Sequence, residues 1–306
     1  MRFLPKIDWK RFFSRLYQKI LDSDVFNRAA QCGFYFSFAF FPLLFFLISL
    51  FGLVLVSTEG LKRELFVYLH EIMPRSAFDL VQKTLSEIID NSSGGKLTLG
   101  LLVTLWSASA GIDSLRSSLN AVYQLREGRS WWHTKLQSLV LTLLFIIVVA
   151  IVLAGVAYGW QLVQLGLSYL GFVVTSPLVL VIIQWITILV VMLLVTEVLF
   201  SWVPCFDKFR WVWISPGAMV AMVLWVILTS GFRLYLQYFN SYDKAYGSLG
   251  AVIILMLWMY LTAMAVLIGG AINSVLGEMN KPHGEETPGQ DVFRAMKDSN
   301  EAEAKA

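Results

Sequence analysis

The sequence predicts an all-α fold: a polytopic transmembrane helical bundle of about six spans, flanked by amphipathic interfacial helices. Three observations predict it. Of 306 residues, 57% are hydrophobic and only 15% charged, with a mean hydropathy of +0.67; soluble chains average roughly 45–50% apolar and about 25% charged. The charges are clustered, which leaves long stretches with none. Those stretches have the length a helix needs, since roughly 20 apolar residues cross the hydrocarbon core and no water is there to satisfy an open backbone.

Residues 1–28 read as a cytoplasmic N-terminal segment. The apolar run after them is too long for a cleavable signal peptide, so the segment is expected to stay on the mature chain. Trp9, Phe12, Phe13, Leu16, Tyr17 and Ile20 recur at helical spacing, with Lys10, Arg11, Arg15 and Lys19 on the other face. A basic amphipathic helix of this kind suits the lipid surface; a helix packed beneath the bundle fits the pattern equally.

The membrane domain covers 29–279. No charge falls between Arg28 and Glu59, which gives a first span at about 29–56, kinked at Pro42. The outer loop 59–96 carries amphipathic stretches at 61–73 and 77–89, separated by Pro74. A second span, about 97–118, is short alone and is expected to continue through Asp113 and Arg116 toward Tyr123. Its run Ser107, Ala108, Ser109, Ala110, Gly111 suits close packing and predicts a central helix. The uncharged stretch from Lys135 to Glu197 holds two spans, about 137–160 and 178–200, with a turn at Gly166, Gly171 and Pro177. Gly155 and Gly159 form a GxxxG pair on the first of these. The fifth and sixth spans lie at about 212–233 and 248–276. Residues 280–306 are polar and read as a disordered cytoplasmic tail.

Lys and Arg placement predicts both termini inside: seventeen fall in the segments then cytoplasmic, against seven outside. Cys32 and Cys205 are too few for a disulfide framework and read as reduced packing residues. A faint internal echo pairs Leu99, Gly100, Trp106 and Asn120 with Leu249, Gly250, Trp258 and Asn273. Coincidence and a repeated two-span hairpin both account for it.

Ionisable groups at membrane depth need a partner or a wet cavity. Asn27, Arg28, Asp113, Arg116, Asn120, Glu197 and Asn273 all fall near the cytoplasmic ends of their spans and predict one inward-facing polar cluster. Asp113 and Arg116 share a helix face. The cluster fits either a vestibule for an anionic head group or a network tying helix ends together. A second cluster near the outer face comprises Arg233, Tyr235, Tyr238, Asp243, Lys244 and Tyr246. It fits the end of a pathway or interfacial anchoring. The three histidines, His70, His133 and His283, are scattered, and no metal, Walker, GxGxxG or GxSxG motif occurs. No cofactor and no metal are expected.

The stretch Tyr246-Gly247-Ser248-Leu249-Gly250, running into Leu257-Trp258-Met259-Tyr260 and ending in Gly270-Ala271-Ile272-Asn273, is distinctive. So are Ser215-Pro216-Gly217-Ala218 and Leu119-Asn120-Ala121-Val122-Tyr123. Together they resemble the YihY/BrkB family of bacterial inner-membrane proteins, once mislabelled ribonuclease BN, over about residues 10–280. One departure is Ile272, where many relatives carry an acid; any role of that carboxylate does not carry over. The resemblance implies a six-helix, multi-pass protein of the bacterial inner membrane, with a role in moving lipids or other amphiphiles or in envelope and virulence traits.

The expected function is transport or translocation of a lipid or other amphiphile. The alternatives are a non-catalytic scaffold or envelope-assembly factor, and an intramembrane enzyme acting on lipid head groups through Asp113 or Glu197. The chain is expected not to be an enzyme, and not a ribonuclease, which would need clustered metal ligands and a basic, wettable cleft. The expected partners are membrane lipids, with a second copy of the chain or an envelope protein as further candidates, and no nucleic acid.

Overall fold

A computed structural model of the chain describes residues 8–55, 94–169, 177–206, 213–238 and 248–279. Among them the chain forms seven helices and no strands: α1 Trp9–Asp22, α2 Val25–Leu55, α3 Gly94–Val122, α4 Trp131–Tyr169, α5 Pro177–Trp202, α6 Pro216–Tyr238 and α7 Ser248–Met279. The expected outer-loop helices at 61–73 and 77–89, and the tail 280–306, lie outside the described residues.

Three described stretches are long and apolar enough to cross a membrane: Trp131–Val152 in α4, Pro216–Tyr238, and Val252–Met279 in α7. Ile186–Trp202 is a shorter apolar helix. Ile151, Ile186, Val223, Ile227 and Ile253 are each more than 40% exposed. An apolar surface so extensive is unfavourable in water and costs nothing in hydrocarbon. The fold is a helical membrane bundle.

Helix boundaries follow local chemistry. Asp8 caps α1, its side chain accepting from the Arg11 amide at 3.3 Å. Proline opens both α5 and α6, where its missing N–H is no loss. Pro42 lies inside α2 without ending it. Helix α3 does run on through Asp113 and Arg116 to Val122. It ends in a Schellman turn, with Leu125 N–H donating to Asn120 O at 2.7 Å and Gln124 N–H to Ala121 O at 3.1 Å. Gln124 takes the left-handed conformation, with φ 55° against an ideal of about 57°. Helix α4 overruns the expected 137–160 at both ends. Gly166 lies inside it, and the helix runs through that position to Tyr169. A glycine in a helix whose other residues are strong apolar formers lowers stability without breaking it.

The core sits at one end of the bundle, where α2 and α6 begin and α3, α5 and α7 finish. Val25, Ala29, Leu115, Leu119, Val122, Phe200, Val203, Ala218, Leu267 and Ala271 are all buried there. The hub is α7, which packs on α1, α2, α3 and α6. Sequence reasoning gave that place to α3. Instead α3 packs on α2, α4 and α7 while Leu102, Val103 and Trp106 stay exposed. Close approach explains the exchange. A Cβ on Gly217 of α6 would overlap the Gly269 carbonyl oxygen of α7. One on Gly269 would lie 2.5 Å from Gly217 O and 2.7 Å from Ala221 Cβ. Gly33 of α2 meets Tyr260 of α7 just as tightly, at 2.8 Å from its Cα. Small residues let backbones touch, and α7 spends Gly269, Gly270 and Ala271 at these crossings.

Helix α1 uses two faces. Phe12 is buried against Ile272 and Val275, with Leu16, Leu276 and Met279 around them. Lys19 is buried with Phe12 instead of lying on the solvent face, and its Nζ pairs with Glu278 Oε1 at 2.5 Å. Trp9, Phe13, Tyr17 and Leu21 form a second, exposed stripe. Ile272, the position of the family departure, thus faces an aromatic ring.

Gly217→Ala and Gly269→Ala should each lower stability in detergent by about 1–3 kcal/mol through overpacking. Gly277→Ala, which has nothing within 4 Å, should be neutral or slightly stabilising. Thermal melts of the three variants check this; equal melting for all would contradict the crossing.

Candidate functional site

The predicted inward cluster resolves into two networks and a turn. The first lies between α3 and α4. Spaced three and four apart, Trp106, Ser109, Asp113, Arg116 and Asn120 make one polar stripe on α3. Asp113 sits between two cations: its Oδ1 is 3.1 Å from Arg116 and its Oδ2 2.9 Å from Lys135 Nζ. Ser138 Oγ donates to Oδ1 at 2.6 Å. Lys135 also donates to Ser109 Oγ at 2.6 Å and lies 4.5 Å above the Trp106 ring. Arg116 donates to Thr134 O and Ser138 Oγ, both at 2.9 Å, and lies 3.5 Å from Glu127 Oε2.

The linker between α3 and α4 extends this network to α5. Arg129 pairs with Glu127 at 2.7 Å and also donates to Gln137 Oε1 and Val203 O. Asn120 Nδ2 donates to Glu127 at 3.0 Å, while its Oδ1 accepts the Cys205 amide at 2.8 Å. Burial works against a charge on Glu127, but the Arg129 hydrogen bonds and charge outweigh it and hold the carboxyl down to about 2.

The second network caps α6. Glu197, 1% exposed, accepts the Ser215 amide. Asn273 Oδ1 accepts the Gly217 amide at 2.8 Å, and its Nδ2 donates to Ser215 Oγ at 2.9 Å. Ser215 Oγ accepts in turn from the Ala218 amide at 3.2 Å. Three amides at the start of α6 are thereby satisfied by neighbouring side chains, and the Glu197 carboxylate faces the positive end of the helix dipole. Burial, with the Glu197 charge adding and nearby Asn273 opposing, pushes the Tyr123 phenol above the usual range.

Asn27 and Arg28 join neither network. Asn27 donates to both Asp24 carboxylate oxygens at 2.8 and 3.0 Å, and Arg28 Nε donates to Ser23 O at 3.0 Å. They fasten the α1–α2 turn, where Asp24 is left-handed with φ 52°. Cys32 is buried beside Ser118 Oγ at 3.2 Å, and both cysteines are free. Glu127, Arg129, Lys135, Ser138 and Ser215 escaped the sequence reading. The α3 stripe was the signal that could have found Lys135 and Ser138, since a polar face on one span needs one on its neighbour.

Of the outer cluster, Arg233 and Tyr238 are exposed and Tyr235 stacks on Phe232 with ring centroids 6.4 Å apart. Asp243, Lys244 and Tyr246 lie outside the described residues. Arg233 lines a lateral opening of roughly 800 Å³ between α6 and α7, with Thr229, Phe232, Gln237, Leu255 and Trp258. A smaller apolar groove of roughly 340 Å³ lies between α5 and α6, lined by Ile186, Val190, Trp213 and Met222 among others. Among the described residues, no three His, Cys, Asp or Glu gather as metal ligands.

Apolar helices exposed along their length, knitted at one end by paired charges, define an integral membrane protein of the helical-bundle class. The chain belongs to the family described as Virulence factor BrkB, whose profile matches residues 16–292. That agrees with the resemblance carried by its motifs. The chain is similar to the putative ribonuclease-like protein YfkH of Bacillus subtilis (strain 168), 28% identical over 270 residues, 88% of this chain and 96% of that one. No solved structure matches it.

Asp113→Asn should destabilise the protein by about 2–3 kcal/mol, below the fully buried range because the carboxylate is 27% exposed. Asp113→Asn with Lys135→Met should recover part of the loss; a double-mutant cycle in detergent melts checks the coupling. Because the Glu127 pKa is lowered in the folded state, its contribution is full above the unfolded value of about 4.5. It is lost as pH falls toward about 2. Melting temperature should therefore fall less steeply over that range for Glu127→Gln than for the wild type.

Proposed function

We propose that the protein moves a lipid or other amphiphile within or across the bacterial inner membrane, as a multi-pass bundle of six spans with both termini in the cytoplasm. The observation that carries this reading is the lateral opening between α6 and α7, apolar on its walls and edged by Arg233 and Gln237. A substrate that partitions into hydrocarbon reaches such an opening sideways, without passing through water. At the other end of the bundle, Asp113, Arg116, Glu127, Arg129 and Lys135 answer one another, so their charges serve packing before they serve a head group. The exposed stripe Trp9, Phe13, Tyr17 on α1 suits the interface beside membrane lipids, the partners expected here. The mechanism is non-enzymatic in this reading, needs no cofactor, and involves no nucleic acid.

The same paired network also favours a second reading, a scaffold or envelope-assembly factor that holds a partner protein or a second copy. Its signature is stable co-purification without lipid movement.

Reconstituted protein should speed the exchange of fluorescent phospholipid between leaflets above the protein-free rate, and Arg116→Gln should retain that activity in protein that still folds. Exchange at the protein-free rate would remove the transport reading. In a chain stripped of its native cysteines, a cysteine placed in the 280–306 tail should label with an impermeant reagent only from the cytoplasmic side.

A further inference from the structure

Helices α6 and α7 are joined like a zip that stops partway. At one end their backbones touch at Gly217 and Gly269. Midway, Trp225 Nε1 donates to Thr262 Oγ1 at 3.1 Å. Beyond that bond the helices part, and the wedge between them opens from Thr229 on α6 and Trp258 on α7 outward. Arg233 stands in the wedge about 25 Å along the α6 axis from Pro216. The hydrocarbon core is about 30 Å thick, so a residue at this distance stands near the far side of the core, where a long arginine side chain reaches the opposite head-group region. Gln237 follows one turn further on. The inner walls, Phe232 and Leu255, are apolar.

We propose that this wedge binds one anionic phospholipid, its phosphate on Arg233 and Gln237 and an acyl chain along Phe232, Leu255 and Trp258. Charge complementarity selects the occupant. A guanidinium offers paired N–H donors that match phosphate oxygens. No acidic side chain among the described residues lies in ion-pair contact with Arg233. The remaining wall, Thr229 aside, is apolar and suits an aliphatic chain better than a hydrated ion. A free phosphate would lack the apolar half of the contact, and a neutral lipid would lack the ionic half. The opening, roughly 800 Å³, is an open groove with room for part of a lipid laid against it from the side. This inference rests on the reading that the opening receives a lipid, and it names the class of lipid and the residue that selects it.

The test uses the full chain in mild detergent, incubated with equal amounts of phosphatidylglycerol and phosphatidylcholine, with retained lipid counted by native mass spectrometry. Wild type should retain phosphatidylglycerol preferentially. Arg233→Gln should reduce that preference about fivefold, the scale of one basic contact at a membrane surface. Arg233→Lys should keep most of it, and Arg126→Gln, an exposed arginine of the α3–α4 linker, should leave it unchanged. A preference that survives in Arg233→Gln, or one lost equally in Arg126→Gln, would overturn the site. Leaflet exchange on the same preparations separates the two claims. Preference without exchange keeps this site and removes the transport reading; exchange with an unaltered preference in Arg233→Gln does the reverse.

Discussion

Asp113 lies on a helix of a membrane bundle, and it is held between two cations from its own turn and from the next helix. That arrangement governs this end of the bundle. A carboxylate there loses much of its hydration, and the loss is tolerable only where fixed partners replace the water. Arg116 and Lys135 supply the charge and Ser138 a further donor. Each cation then needs its own remaining partners, which draws in Ser109, Thr134 and Glu127. The positions of α3, α4 and the linker between them follow from satisfying that one group.

Two asparagines extend the same logic to the connection between α5 and α6. Asn120, near the end of α3, accepts the Cys205 amide; Asn273, near the end of α7, accepts the Gly217 amide. Each stands at a matching place in the faint sequence echo, and each grips one end of the same connector. The two hairpins α2–α3 and α6–α7 are also among the most extensively packed pairs. The equivalence is one of position and of hydrogen bonding, and it gives the echo a physical content that the letters alone lacked.

The class of fold was legible because the bilayer writes itself into composition: charges vanish for the length of a span. Interfaces were less legible. Gly166 looked like a turn residue, yet an apolar helix runs straight through it. Small residues marked both α3 and α7 for close packing, and only the backbone contacts at Gly33, Gly217 and Gly269 show which one takes the centre. The site fared similarly. Asp113, Arg116, Glu197 and Asn273 stood out as polar groups at membrane depth. Their grouping did not, because depth along the chain fixes height in the bundle but not the azimuth of a side chain. Asn27 and Arg28 have the right height and a different neighbour. Lys135 passed as a span boundary when its ammonium in fact reaches across to Asp113 and Ser109 of α3.

The contact between Gly217 and Gly269 lies near one end of two long antiparallel rods, which makes it a fulcrum. With a lever arm of about 25 Å, a change of about 5° in the crossing would displace the far ends by about 2 Å. Glycines at the pivot offer no side chains to resist such a rotation, and the indole of Trp225 acts as a clasp partway along the arm. The Trp225 bond therefore adds stiffness partway along this pair of helices, beyond the Asn273 contacts at the pivot, and compliance grows with distance from both.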